Sequence, residues 1–397
     1  MKEGQLRAQQ GKRALYGLFV LAGVAMATLV TRMPALRDAL DASTEQMGLV
    51  LFGLSLGSMG GILSAHAITQ WLHAHRAVGL GTALVLLGWG VVAGGALWGS
   101  PWLVFAGFVL FGVGMGWADI GMNVECAALE RCLQTTLMTT LHGCFSLGTL
   151  VGALLGMAVV QAGASLDMHW GVVLLGAVLT MFPLVGHIPN LSARPQQPEA
   201  VVAPAAPAAR PSLWAAYRQR RVLRIGLFVL AMALAEGAAN DWLTLLMVDS
   251  HGFDQGQGAL IFLLFTLGMV LGRFSGHRLL QRFERAALMR ASALAAVGAL
   301  ALVIFAPHPW LAAAATLFWG LGASLGFPLA LSAAGEGPEA DSARNVAAAA
   351  TLGYVAFLVG PPLLGFLGEH FGLRMALLPV LVMAVAAVIV APVFRKH

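Results

Sequence analysis

Apolar residues come in blocks of about 20 along this chain, separated by short polar connections. A helix of about 20 residues spans roughly the 30 Å of a bilayer's hydrocarbon core, so each block predicts a membrane-crossing helix. Twelve blocks are present. The first six lie roughly at 14–34, 45–68, 77–98, 101–124, 138–163 and 169–188, and the second six roughly at 222–247, 257–280, 286–306, 309–333, 344–368 and 372–394. The first block has full length and no small-residue cleavage site follows a short apolar core, so it is expected to be retained as the first helix. The expected fold class is an all-α membrane protein of twelve transmembrane helices.

The two sets of six repeat each other. Gly17-Leu18-Phe19-Val20-Leu21-Ala22 reappears as Gly226-Leu227-Phe228-Val229-Leu230-Ala231, an offset of 209. Leu56, Gly57, Gly61, His66 and Gln70 reappear at an offset of 211 as Leu267, Gly268, Gly272, His277 and Gln281. Gly112 and Gly114 map to Gly320 and Gly322. Three matches at nearly one offset, in corresponding helices, predict two pseudo-symmetric six-helix bundles with a solute site between them near the bilayer midplane. The bundles are expected at 1–188 and 222–397. Between them, Pro189 to Pro211 carries six prolines among alanines and polar residues, and reads as part of a disordered cytoplasmic linker over 189–221. Ser212 to Arg224 reads as a basic amphipathic approach lying on the membrane surface. The pairs Gly57/Gly61, Gly112/Gly116, Gly148/Gly152 and Gly268/Gly272 each share a helix face and predict close backbone approach between neighbours.

Composition agrees. Hydrophobic residues make up 59% of the 397 and charged residues 10%, with a mean hydropathy of +0.81, too little charge for a soluble surface of this size. The basic residues set the orientation: 19 of the 23 fall on one side, Arg32, Arg37 and Arg374 on the other, and Arg273 inside a helix. Both termini are therefore expected in the cytoplasm of a bacterial inner membrane. The isoelectric point of 9.6 reflects basic loops facing an anionic leaflet, so lipids rather than nucleic acid are the expected macromolecular surroundings. Cys126, Cys132 and Cys144 have no disulfide or zinc spacing. Gly112-Val113-Gly114-Met115-Gly116 lies inside an apolar helix with no strand before it, which removes a nucleotide-loop reading. His73 and His75 beside Arg76 lack a third metal ligand. No cofactor is expected, and no nucleophile–base set points to an enzyme.

With two halves and a linker, the chain resembles the major facilitator superfamily over nearly its whole length. More narrowly it resembles the fucose-permease-like branch and, within it, the YbjJ-like bacterial inner-membrane proteins. The residues that carry this are Phe52-Gly53-Leu54-Ser55-Leu56-Gly57-Ser58-Met59, Ala235-Glu236-Gly237-Ala238-Ala239-Asn240-Asp241-Trp242 and Gly353-Tyr354-Val355-Ala356-Phe357-Leu358-Val359-Gly360-Pro361-Pro362. The superfamily's loop signature places an acid four residues after a glycine. Here His66 and Gln70 stand in the first copy and His277 and Gln281 in the second, so the acid of the usual charge latch is missing.

Ionisable groups at membrane depth are costly and commonly functional. In the fourth helix Asp119 and Asn123 stand four apart on one face. Asp119 precedes Arg131 by twelve residues, about 18 Å at 1.5 Å per residue, which is near midplane. Gly114-x-Gly116-x-x-Asp119-x-x-x-Asn123 resembles the fucose-permease pattern, and the resemblance implies that Asp119 accepts a proton or anchors solute. In the seventh helix Glu236 and Asn240 share a face and Asp241 is turned about 100° away. The offset of 209 sets Arg32 opposite Asp241, a candidate gating pair or an outward-open solute contact. The sugar permeases' first-helix acid would fall at Val30, a departure that weakens fucose as the substrate. His142, Ser146 and Thr149 follow one face of the fifth helix, and His142 stands where the sugar permeases carry a glutamine. Trp242 and Tyr354 are candidates to stack on a solute ring, and Arg273 is a candidate gating cation.

The expectation is a secondary active transporter of a small polar organic solute, sugar-like or a metabolite, coupled to protons and working as a monomer. A proton-driven exporter of metabolites or drugs is the alternative. A non-transporting membrane sensor is a third reading, against which the buried acids argue.

Overall fold

The computed structural model describes residues 2–135, 137–188, 190–191, 216–336 and 339–395. Among them are twelve helices long and apolar enough to cross a membrane: Leu6–Val30, Thr44–Leu72, Ala74–Leu97, Pro101–Leu133, Thr140–Gln161, Leu166–Gly186, Arg220–His251, Gln255–Gly276, Arg285–Phe305, Pro309–Ala334, Arg344–Phe371 and Leu373–Phe394. They are called here the first to twelfth spans. Most of the linker expected at 189–221, and the first four residues of the Ser212–Arg224 approach, fall on 189 and 192–215, outside the described residues; from Arg220 on the chain already belongs to the seventh span's helix.

Prolines place three interruptions that the apolar blocks do not reveal. A proline ring clashes with the carbonyl four residues earlier and offers no N–H. Pro34 ends the first span's helix at Val30, four residues before it, and a short helix Met33–Leu40 restarts. Pro328 breaks the tenth span between Pro309–Ser324 and Gly326–Ala334, again at its fourth predecessor. Pro379 separates Leu373–Ala376 from Leu378–Val390.

Within the first half, the first span packs on the fifth, and the second and third on the fourth. Within the second half, the seventh packs on the eleventh, and the eighth and ninth on the tenth. The glycine pairs produce these crossings. A Cβ at Gly57 would strike the Val109 carbonyl and one at Gly112 the Leu54 carbonyl. In the second half a Cβ at Gly268 would strike the Leu317 carbonyl and one at Gly320 the Phe265 carbonyl. The same crossing is thus built twice, with Leu54 and Phe265 in register at the offset of 211. Helix starts repeat too. Ser43 and Gln46 form a capping box at the head of the second span, as do Asp254 and Gln257 at the head of the eighth.

The bundles meet along the second and eleventh spans and along the fifth and eighth. Twelve spans place both termini on one face. At the other face the bundles are locked together. Arg37 of the short helix pairs with Asp249 at the end of the seventh span. Gln255 donates to Asp38 at 3.2 Å. The Glu369 carboxylate, at the end of the eleventh span, accepts from the Thr44 and Glu45 amides at 2.9 and 3.3 Å. That carboxylate from one bundle neutralises the positive N-terminus of the second span in the other. Gly48 and Gly365 face each other with no room for a Cβ on either. Deeper in, the Thr244 hydroxyl donates to the Val30 carbonyl at 3.1 Å, using an acceptor that the helix break leaves unpaired.

The terminus-bearing face holds a charge latch of its own. Glu336, at the end of the tenth span, pairs with Arg285 and reaches Arg221 at 3.7 Å. The worn loop signature therefore does not remove the latch from the second half, where the acid comes from the tenth span. In the first half Glu130 accepts from the Leu137 and Met138 amides at 2.5 and 2.8 Å, closing the N-terminus of the fifth helix.

Candidate functional site

A cavity of about 100 Å³ lies between the bundles, lined by the first, fifth, seventh and eighth spans. Its apolar wall includes Met26, Val30, Phe145, Phe262, Phe265 and Met269, and its polar wall Ser146, Thr149, Glu236, Asn240, Thr266 and Arg273. Glu236 lies 16 residues from Arg220 and 15 from His251, about 23 Å from either helix end and so near midplane. The neighbouring seventh-span backbone is held by Trp319, whose indole N–H donates to the Ala235 carbonyl at 3.1 Å. Gly237 accommodates the Phe357 ring of the eleventh span.

Arg273 is the centre of this site. Its Nη2 donates to Glu236 Oε1 at 3.0 Å and its Nη1 to Ser146 Oγ at 3.1 Å. The first contact lies within the second bundle and the second crosses to the first bundle. Ser146 is buried, and its hydroxyl also reaches its own helix at the His142 carbonyl, 3.3 Å away. An arginine at this depth is tolerable because a carboxylate and a hydroxyl take its donors. Its guanidinium carries five N–H groups, so these two contacts leave others to donate.

A second group lies in the interbundle gap beyond this cavity's wall. Asn123 Nδ2 donates to Asp119 Oδ1 at 3.2 Å within the fourth span. Asp119 interacts electrostatically with His142 of the fifth span and with Tyr354 of the eleventh, in the other bundle. His142 is exposed and its ring stands edge-on to Phe19 at 5.6 Å between centroids. Asp119, Asn123 and Tyr354 are half-buried. Beside His142, Gly143 of the fifth span lies against the Phe274 ring of the eighth, so the bundles touch at this level as well.

The remaining candidates take other places. Arg32 does not pair with Asp241. It is 4% exposed, its Nη2 donates to the Ala164 carbonyl at 2.9 Å, and Asp167 is its electrostatic neighbour. The helix break before Pro34 turns Arg32 toward the fifth-to-sixth connection, which the repeat offset does not register. Asp241 is half-buried and makes no side-chain hydrogen bond or ion pair among the described residues. Trp242 is 2% exposed within the apolar core and lines neither cavity described here. The charged pair that joins the bundles, Arg37 with Asp249, is one that the repeat pattern misses. Burial pulls the Arg37 guanidinium's pKa down, and Asp249 and Asp38 more than restore it.

A larger concavity of about 650 Å³ lies between the ninth and tenth spans, lined by residues such as Ala295, Gly298, Leu302, Phe305 and Phe318. It is apolar throughout and carries no chemistry. Among the described residues no group of histidines, cysteines and acids is placed to hold a metal.

The fold is two six-span bundles with a mixed polar and apolar cavity between them. The chain belongs to the Major Facilitator Superfamily, whose sequence profile matches residues 15–356 and 259–397. It is 25% identical over 90% of its length to an uncharacterised MFS-type transporter of Yersinia pestis, of which the match covers 89%. It is also 25% identical over 96% of its length to the membrane protein MosC of Rhizobium meliloti, of which 89% is covered. Among solved structures it is similar to the nucleoside transporter NupG (14% identity, 98% of each chain, TM-score 0.75). It is also similar to FucP in its outward conformation (18% identity, 97% of this chain and 99% of that one, TM-score 0.63).

Proposed function

We propose that this chain is a proton-coupled secondary active transporter of a small polar organic solute in a bacterial inner membrane, working by alternating access as a monomer. The observation that carries the reading is a cavity lined by both bundles near midplane, behind a face where the bundles are tied by contacts of the breakable kind. One face is tied by Arg37–Asp249, Gln255–Asp38 and Glu369 on the head of the second span, while a cavity lined by both bundles, with Glu236 and Arg273 in its wall, lies near midplane. With both termini in the cytoplasm, as the arginine and lysine distribution favours, the locked face is periplasmic.

The moving bodies are the bundle of residues 1–188 and that of 222–397, joined by the linker 189–221. Solute would sit against Arg273, Glu236, Asn240, Ser146 and Thr149. Asp119 is the proposed proton acceptor, with Asn123, His142 and Tyr354 around it. Asp241 is held in reserve for a later conformation. The resemblance to the fucose-permease-like branch, and to its YbjJ-like group, favours uptake by symport. One similar structure is that of a fucose:proton symporter. A thermal-shift screen of the purified protein against sugars, sugar acids and metabolites finds the solute, because a ligand stabilises the state it binds. Uptake into proteoliposomes against the solute gradient, driven by an imposed pH gradient, is then expected. Solute efflux driven by the same gradient would favour the exporter reading, and downhill flux alone would overturn proton coupling.

A further inference from the structure

The cavity's charges restrict what can enter it. Among its lining residues Arg273 is the one cation and Glu236 the one acid. The first span contributes Met26, Ala27 and Val30, and the fifth contributes Phe145, Ser146 and Thr149, none of which titrates. The other titratable groups of the gap, Asp119, His142, Asp241 and Tyr354, do not line this cavity. Arginine stays charged at any pH a cell reaches, whereas a carboxylate can take a proton. The site thus has two charge states. It is neutral while Glu236 is ionised, and carries one positive charge once Glu236 is protonated.

The geometry of the pair points the same way. Arg273 meets Glu236 through a single N–H to oxygen contact, with its second terminal nitrogen spent on the neutral Ser146 hydroxyl. A guanidinium prefers two parallel bonds to one carboxylate, and this pair forgoes that arrangement. A free carboxylate entering the cavity can take both terminal nitrogens at once. It would replace Glu236 on one and Ser146 on the other, and so remove a polar tie between the bundles.

We infer that the solute is an organic monoanion whose carboxylate is received by Arg273, with Glu236 protonated while the anion is bound. This deepens the transporter reading above and rests on it. The apolar wall of Phe145, Phe262, Phe265 and Met269 then faces the body of the anion, and Asn240 its hydroxyl or carbonyl groups. A neutral sugar would leave the Arg273–Glu236 pair intact, and a cation would have to displace the arginine.

The test is a thermal-shift measurement on the purified full chain at pH 5.5 and 7.5, at matched ionic strength in sodium chloride. Acetate, gluconate and glucuronate are compared with their neutral counterparts acetamide, glucitol and glucose. At least one acid is expected to raise the Tm in a concentration-dependent way, more at pH 5.5, with no shift from its counterpart. Glu236→Gln should bind that acid with the pH dependence gone. Arg273→Lys should bind it about tenfold more weakly, since a point charge replaces a bidentate fork, and Arg273→Gln should not bind it. The double variant Arg273→Gln/Glu236→Gln, which keeps the site neutral, checks that lost binding is not lost folding. Shifts equal for acids and neutral counterparts, absent for all three acids, or surviving Arg273→Gln would overturn the inference. The two readings fail separately. Uphill transport of a neutral solute would sink the anion site alone, and an acid bound at Arg273 but never moved across proteoliposomes would sink the transporter reading alone.

Discussion

Arg37 and Asp249 form an ion pair between the two bundles, 212 residues apart in sequence, at the face opposite the termini. Both are partly exposed, with side-chain accessibilities of 23% and 25%, so the pair is worth about 1 kcal/mol or less. That small value suits a contact that has to break in each transport cycle. Asp249→Asn should therefore leave the Tm nearly unchanged and shift the population away from this conformation. The charge swap Arg37→Asp with Asp249→Arg should restore it. Cysteines at the two positions should cross-link in wild-type-like conditions, and a failure to cross-link in any condition would remove the pair from the gate.

Arg32→Ala is expected to behave differently. Arg32 is buried and caps the Ala164 carbonyl, so its loss should lower stability rather than shift the conformational balance. The reciprocal Arg32→Asp, Asp241→Arg swap should not rescue stability. Rescue by that swap would show that the two residues do meet.

The duplicated glycine crossings predict matched damage in the two halves. Gly57→Val and Gly268→Val each drive a side chain into a neighbouring carbonyl and should destabilise by roughly 1–3 kcal/mol, the usual cost of overpacking. Gly60, on the same helix as Gly57, has nothing within 4 Å of a built Cβ, and Gly60→Ala should be silent in the same denaturation assay. Equal effects at Gly57 and Gly60 would contradict the packing account.

Asp119→Asn keeps size and hydrogen bonding but cannot carry a proton. Once a solute is in hand, this variant should lose uphill accumulation in proteoliposomes while retaining counterflow exchange. Retained accumulation with unchanged pH dependence would move the coupling role to Glu236 or Asp241.

The twelve spans and the duplication were legible because bilayer thickness imposes one block length and gene-scale repetition leaves glycines in register. The repeat even extended to helix caps, since Ser43/Gln46 and Asp254/Gln257 stand at one offset. Glu236, Asn240 and Arg273 could be singled out because polar groups inside apolar blocks stand out against them. Their meeting with Ser146 could not, because it depends on how two bundles rotate against each other. The lock at the opposite face was also hidden. Arg37, Asp249 and Glu369 sit at helix ends, where charges are common and cheap. The Arg32–Asp241 expectation followed the repeat offset, which carries no information about the turn that Pro34 imposes just after Arg32.

The most direct test of alternating access needs no solute. In a background without other cysteines, spin labels are placed at Glu45 and His370, on the locked face, and at Cys132 and Phe283, on the terminus-bearing face. Each pair spans the two bundles. Distance distributions are measured at low and high pH, and with Asp249→Asn. The account predicts reciprocal changes: as the Glu45–His370 distance lengthens, the Cys132–Phe283 distance shortens. Distances that stay fixed, or that lengthen together at both faces, would contradict it.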